Sequence, residues 1–81
     1  MTGIDGPLFR VRFHGYDTEQ VERLVSRVAD TLAGTARKPV SVPELQYGVY
    51  FDIKARGYDR GEVDAYVADS IAALRRNALA A

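Results

Sequence analysis

The sequence predicts an α+β fold. Two strand–Gly-Tyr-Asp–helix units stand in tandem (β-α-β-α), with two main helices packed together and a small two-stranded sheet. Three observations predict it. First, the tripeptide Gly-Tyr-Asp occurs twice, at Gly15-Tyr16-Asp17 and at Gly57-Tyr58-Asp59. Second, each copy follows a stretch that alternates apolar and charged residues and precedes one whose apolar residues recur every three or four positions. Those are the periods of a strand and of a helix. Third, at an offset of 42 positions, residues 9–32 and 51–74 match at Phe9/Phe51, Gly15/Gly57, Tyr16/Tyr58, Asp17/Asp59, Val21/Val63, Val25/Val67 and Leu32/Leu74. Ordinary residue frequencies would give about one or two matches in such a window. The chain therefore reads as one domain, 1–81, made of repeats 8–34 and 49–78 joined by a linker, 35–48.

Residues 1–7 (MTGIDGP) hold two glycines and a proline and read as a flexible lead-in. In Leu8–His14, Phe9, Val11 and Phe13 alternate with Arg10, Arg12 and His14, the pattern of a half-buried strand. Gly15 then permits a positive φ at a tight corner. Asp17 suits a helix N-cap, with Gln20 placed to reach back to its amide as a capping box. Tyr16 and Val21 have the spacing of a hydrophobic staple. From Thr18 to about Ala33, Val21, Leu24, Val25, Val28 and Leu32 form one apolar helical face, and Gly34 is a stop.

In the linker, Ser41, Pro43 and Glu44 have the spacing of a helical first turn, so a short helix over 41–46 and a plain loop are both open. Val49–Arg56 is the second strand, with Phe51, Ile53 and Ala55 on one side. The second corner repeats the first: Gly57 turns, Asp59 caps, Glu62 closes the box, and Tyr58 and Val63 staple. The second helix runs from Arg60 to about Asn77, with acidic residues near its start and Arg75 and Arg76 near its end, which suits the helix dipole. A single amphipathic helix cannot bury its own stripe. The two helices are expected to pack within one chain as a pseudo-dimer, the strands side by side about an approximate two-fold. Pairing between chains, giving a homodimer, is the alternative.

Bulk properties narrow the function classes. The 81 residues suffice for one small core. A formal net charge of +0 argues against non-specific nucleic-acid binding. There is no cysteine, and the single histidine and three serines (Ser26, Ser41, Ser70) offer no nucleophile–base arrangement. With no phosphate loop and no metal-ligand spacing, no enzyme activity and no cofactor are expected. No apolar run is long enough to span a bilayer and no signal pattern opens the chain, so a cytoplasmic location is expected.

The pattern Phe-x5-Gly-Tyr-Asp-x2-Glu-Val-Asp resembles the N-terminal domain of the DivIVA family. The second repeat is closer, through Phe51, Arg56-Gly57-Tyr58-Asp59, Glu62-Val63-Asp64 and Tyr66. The first matches at Phe9, Gly15-Tyr16-Asp17, Val21 and Glu22. The resemblance implies a bacterial cytoplasmic scaffold, with a source among actinobacteria, acting in the cell cycle at division septa or growing poles. It also implies a paired-helix, coiled-coil dimer domain that touches lipid through an apolar and a basic residue just before Gly-Tyr-Asp. Those positions are Phe13-His14 and Ala55-Arg56 here. Ala55 is too small to insert, His14 stands where arginine is usual, and no long coiled coil follows Leu74.

Two functions are weighed. One is a non-enzymatic adaptor that binds a cell-division or cell-envelope protein. The other is peripheral binding to anionic or curved membrane by the strand-to-helix corners, with Arg10, Arg12, His14, Lys54, Arg56 and Arg60 as a positive face and Phe13 as wedge. Against the second stands the plain expectation that Phe13 continues the Phe9/Val11 core stripe and that the cations are a solvated face.

Overall fold

A computed structural model of the chain describes residues 8–80. The lead-in 1–7 lies outside the described residues. The elements are β1 (Val11–Tyr16), α1 (Thr18–Ala33), a π-helical turn (Glu44–Gly48), β2 (Ile53–Tyr58) and α2 (Arg60–Ala80). The architecture is α+β, two helices with a two-stranded antiparallel ribbon.

Asp17 caps α1 through its carboxylate, which accepts from the amides of Glu19 at 2.9 Å and Gln20 at 3.3 Å. Asp59 caps α2 in the same way, accepting from the Glu62 amide at 3.0 Å. Gly34 ends α1 in the left-handed conformation, φ 78. Its amide donates to the Thr31 carbonyl, and the Thr35 amide to that of Asp30, as a glycine C-cap requires. The short helical segment in the linker forms, shifted to Glu44–Gly48. Ser41 starts it by accepting from the Glu44 amide at 3.2 Å through its hydroxyl.

The ribbon pairs Val11 with Tyr58, Arg12 with Gly57, Phe13 with Arg56, Gly15 with Lys54 and Tyr16 with Ile53. Partners run in opposite order, so the strands are antiparallel. The ladder is irregular: its register slips between successive pairs, and Tyr16 also lies beside Tyr58, an approach of parallel sense. Tyr16 and Tyr58 are equivalent residues of the two repeats, so this contact falls where the two segments cross at the pseudo-two-fold. The crossing is bracketed by two equivalent bonds, Asp17 amide to Asp52 carbonyl at 2.9 Å and Asp59 amide to Arg10 carbonyl at 2.7 Å.

The core has two parts. Near the crossing, Val21, Tyr58 and Val63 are buried together, with Phe9, Tyr16 and Phe51 against them. Farther along the helices, Leu24, Val28 and Leu74 are buried with Val40 and Leu45 from the linker. The helices therefore leave the crossing side by side, and the linker straps over one side of the pair. Arg27 holds the strap, reaching Glu44 at 2.7 Å and the Lys38 carbonyl at 3.1 Å.

Three local expectations are corrected. The strands do not bury one face: Val11, Phe13 and Ile53 are all exposed, because no layer covers the ribbon there. The corner glycines do not supply a positive φ; among the described residues only Gly34 and His14 have one. Gly15 and Gly57 supply space instead. A Cβ on either would run into the backbone of the other segment, at Gly57 and Tyr58 or at Gly15 and Tyr16. Finally, the capping boxes do not close on themselves. The Asp17 and Asp59 amides are already taken by the other segment's carbonyls. The third helical residue, Gln20 or Glu62, therefore reaches across to the other segment.

Candidate functional site: the crossed corners

Most polar links between the two repeats at the corners come in equivalent pairs. Gln20 accepts from the Asp52 amide at 2.7 Å, and Glu62 accepts from the Arg10 amide at 2.9 Å. The Tyr58 hydroxyl donates to Glu22 at 2.6 Å, and the Tyr16 hydroxyl donates to Asp64 at 2.9 Å. Arg12 pairs with Asp59 at 2.8 Å, and Lys54 with Asp17 at 3.7 Å. The rings follow suit: Phe9 meets Tyr58 at 5.4 Å and Phe51 meets Tyr16 at 5.1 Å between centroids. A local corner motif, duplicated, has become a clasp in which each half is closed by the other. Burial and then the acceptor carboxylate push the Tyr58 and Tyr16 hydroxyls above their ordinary value. The backbone amide bond from Glu62, assisted by Arg12 and opposed by desolvation, holds the Asp59 carboxyl below its ordinary value.

The motif residues Gly15, Tyr16, Asp17 and Val21, with Gly57, Tyr58, Asp59 and Val63, form this clasp. The tyrosines are not simple staples to their own helices, since each hydroxyl is spent on the other repeat's helix.

The basic candidates all lie on the ribbon, beside it or in the first turn of α2, but not as one free positive face. Arg10 is tied to Glu62 at 3.4 Å, and Arg12 and Lys54 are tied to the two caps. His14, Arg56 and Arg60 have no ion-pair partner among the described residues. Phe13 does not continue a core stripe: it is 81% exposed. His14 next to it takes φ 57, a left-handed conformation that costs a residue with a Cβ roughly 1 kcal/mol or more. Its equivalent in the second repeat, Arg56, has no such φ. This bend marks the apex of the first segment. Phe13 shares a shallow cavity of about 200 Å3 with Val11, Arg12 and Arg56. The apex thus offers one large apolar side chain beside two unpaired basic groups.

From the sequence the five tyrosines, Tyr16, Tyr47, Tyr50, Tyr58 and Tyr66, read as staples and core, and for two of them that expectation is corrected. Tyr47 and Tyr50 are both strongly exposed. Their signal was visible as aromatics in a polar, glycine-containing linker, but exposure cannot be told from composition. Among the described residues no helix is long and apolar enough to cross a membrane. No family model, curated protein or solved structure matches the chain.

Proposed function

We propose that this chain is a non-enzymatic adaptor module of the DivIVA type, linked to cell division or polar growth, that rests on the inner face of the cell membrane by its crossed apex and presents the rest of its surface to a protein partner. The observation that supports this most is Phe13. A phenylalanine with no internal role, held outward on the ribbon, is poised to enter another phase. Burying it would contribute about 1.5–3 kcal/mol. Arg56 would add about 1 kcal/mol at an anionic surface. The sum makes a weak, reversible contact. Retention at a pole or septum would then depend on a second attachment, since two weak sites on one body gain by effective concentration. Homodimerisation would supply the same advantage.

Co-sedimentation tests the reading. The protein should pellet with phosphatidylglycerol vesicles and stay in the supernatant with phosphatidylcholine vesicles, less so as salt rises. Phe13→Ala and Arg56→Ala should each weaken pelleting about tenfold or less, with the fold unchanged, as single surface groups do. Binding to neither lipid, or binding indifferent to salt and to Phe13, would remove the membrane part of the proposal.

A further inference from the structure

The pseudo-two-fold fails in one place. In the first repeat the chain entering the ribbon closes on the clasp. The Leu8 amide donates to the Tyr58 hydroxyl at 3.3 Å, and Phe9 meets both Tyr58 and Tyr66, the latter at 5.8 Å. The equivalent residues of the second repeat are Tyr50 and Phe51. Phe51 meets Tyr16, but the position equivalent to Tyr66 is Leu24, so there is no second ring. Tyr50 is 79% exposed, and no bond from it closes onto Tyr16. What the first repeat fills, the second leaves open. The gap is a cleft of about 420 Å3, lined among others by Tyr16, Tyr50, Phe51, Ile53, Val67 and Arg60. A second cleft of about 320 Å3 shares Tyr50 and Phe51 as a wall and runs over Leu24 to Arg23.

The charges around these clefts are not balanced in the sense that matters to a ligand. Three arginines, Arg60, Arg23 and Arg27, line them against two carboxylates: Asp64, which keeps its charge while accepting the Tyr16 hydroxyl, and Glu44, which is paired with Arg27. Arg60 at the first cleft and Arg23 at the second have no ion-pair partner among the described residues. An exposed aromatic thus stands between two apolar-floored clefts, each with an unspent arginine. Tyr50 and Phe51 also make no backbone–backbone hydrogen bond to another described residue, which leaves that stretch able to pair with an extended chain.

We infer that Tyr50 is the centre of a peptide-docking surface, which takes an extended acidic segment of a partner protein that carries a large apolar side chain. The apolar side chain enters the cleft between Tyr16 and Tyr50, the flanking carboxylates meet Arg60 and Arg23, and the peptide backbone runs along Tyr50 and Phe51. Arginine and tyrosine are the residue types that most often dominate such contacts. This rests on the adaptor reading and names its protein-facing end. Phe13 and His14 line neither cleft, so the two ends can be tested apart.

The experiment uses the full chain and three short fluorescent peptides: a central Phe flanked by Asp and Glu, the same with Lys flanks, and the acidic one with Ala at the centre. Anisotropy should show the acidic Phe peptide binding about tenfold or more tighter than the other two. Amide shifts should gather at Tyr50, Ile53 and Val67. Tyr50→Ala and Arg60→Ala should each weaken binding about tenfold, as loss of a central anchor does. Tyr50 and Arg60 lie outside the core, so circular dichroism should be unchanged. Phe13→Ala should leave peptide binding intact while reducing vesicle binding. Equal binding of the three peptides, shifts elsewhere, or no saturable binding overturns the inference. So does concentration-dependent self-association that Tyr50→Ala abolishes, which would give the surface to a second copy of this chain. Loss of vesicle binding alone, with peptide binding intact, would sink only the membrane end of the adaptor.

Discussion

At one corner Tyr58 is 1% exposed, takes the Leu8 amide and donates to Glu22; at the other, Tyr16 is half-buried, donates to Asp64 and lines an open cleft. The same Gly-Tyr-Asp, cap and acidic acceptor serve both. The difference comes from outside the motif. Leu8 and Phe9 lie back on the clasp, where Tyr66 receives the Phe9 ring, whereas Tyr50 and Phe51 arrive from the strap and find Leu24 instead. One corner is therefore fully closed by the chain that enters it. The other is left partly open, and its surplus aromatic surface is free for contact with something else.

The largest effect should come from the feature both corners share. Gly15 and Gly57 lie backbone to backbone, and a methyl on either would meet main-chain atoms, which cannot swing aside as a side chain can. Gly57→Ala and Gly15→Ala should each cost about 3 kcal/mol or more, at the upper end of overpacking effects. A small domain has about 5–10 kcal/mol in all. Urea titration followed by circular dichroism should find the midpoint collapsing to a similar degree for both. Tolerance of one alanine but not the other would mean that the crossing is not two-fold related.

Truncation of the tyrosines should separate the corners. Tyr58→Ala removes a fully buried ring and should cost about 3–5 kcal/mol. Tyr16→Ala removes a half-buried ring at the rim of a cleft and should cost about half as much or less, because part of that surface already faces water. Equal costs would mean that the open cleft is not a real asymmetry of the molecule.

Much of this frame was legible in the residues, and the parts that were not share a cause. Asp17, Asp59 and Gly34 act on backbone groups within a turn of themselves, so their roles could be read locally. The two-fold followed from the identities at offset 42. The capping boxes could not be read correctly, because Gln20 and Glu62 accept from backbone amides 32 and 52 residues away. The alternating stretches looked half-buried because their period was right, but Phe13 and Val11 have nothing above them. A period reports which residues share a face, not whether that face is covered. The same limit hid Val40 and Leu45, whose burial makes the linker part of the core. Of the apex, the sequence carried the residues; it did not carry which cations were already spent.

Acid should act on the closed corner. The Asp59 carboxyl is held below its ordinary value by the Glu62 amide and by Arg12. A carboxyl depressed in the folded state stabilises fully above its unfolded value and ceases to do so as pH falls through the folded one. The thermal midpoint should therefore decline once pH drops below about 4, where an ordinary aspartate protonates. Asp59→Asn should lower the midpoint at neutral pH and flatten that decline. A wild-type midpoint that stayed level down to pH 2 would show that Asp59 is not coupled to folding. Glu44, held down by Arg27, shifts in the same direction, and Arg27→Ala distinguishes its share.

The smallest effect lies in the equivalent ion pairs that bridge the corners. Arg12 reaches Asp59 at 2.8 Å, and Lys54 reaches Asp17 at 3.7 Å. Both basic side chains are more than half exposed, so solvent screens the attraction and side-chain entropy opposes it. At the longer distance an ammonium also lacks the directed hydrogen bond that guanidinium makes. Lys54→Ala should change stability by about 0–0.5 kcal/mol, inside the range of exposed pairs. Arg12→Ala should cost more, since Arg12 also helps keep Asp59 ionised for its cap, and the excess should vanish in an Asp59→Asn background. If Lys54→Ala proved as costly as Arg12→Ala, and both costs disappeared in high salt, the corners would be electrostatically equal. Their inequality would then belong to the packing of Tyr16 and Tyr58 alone.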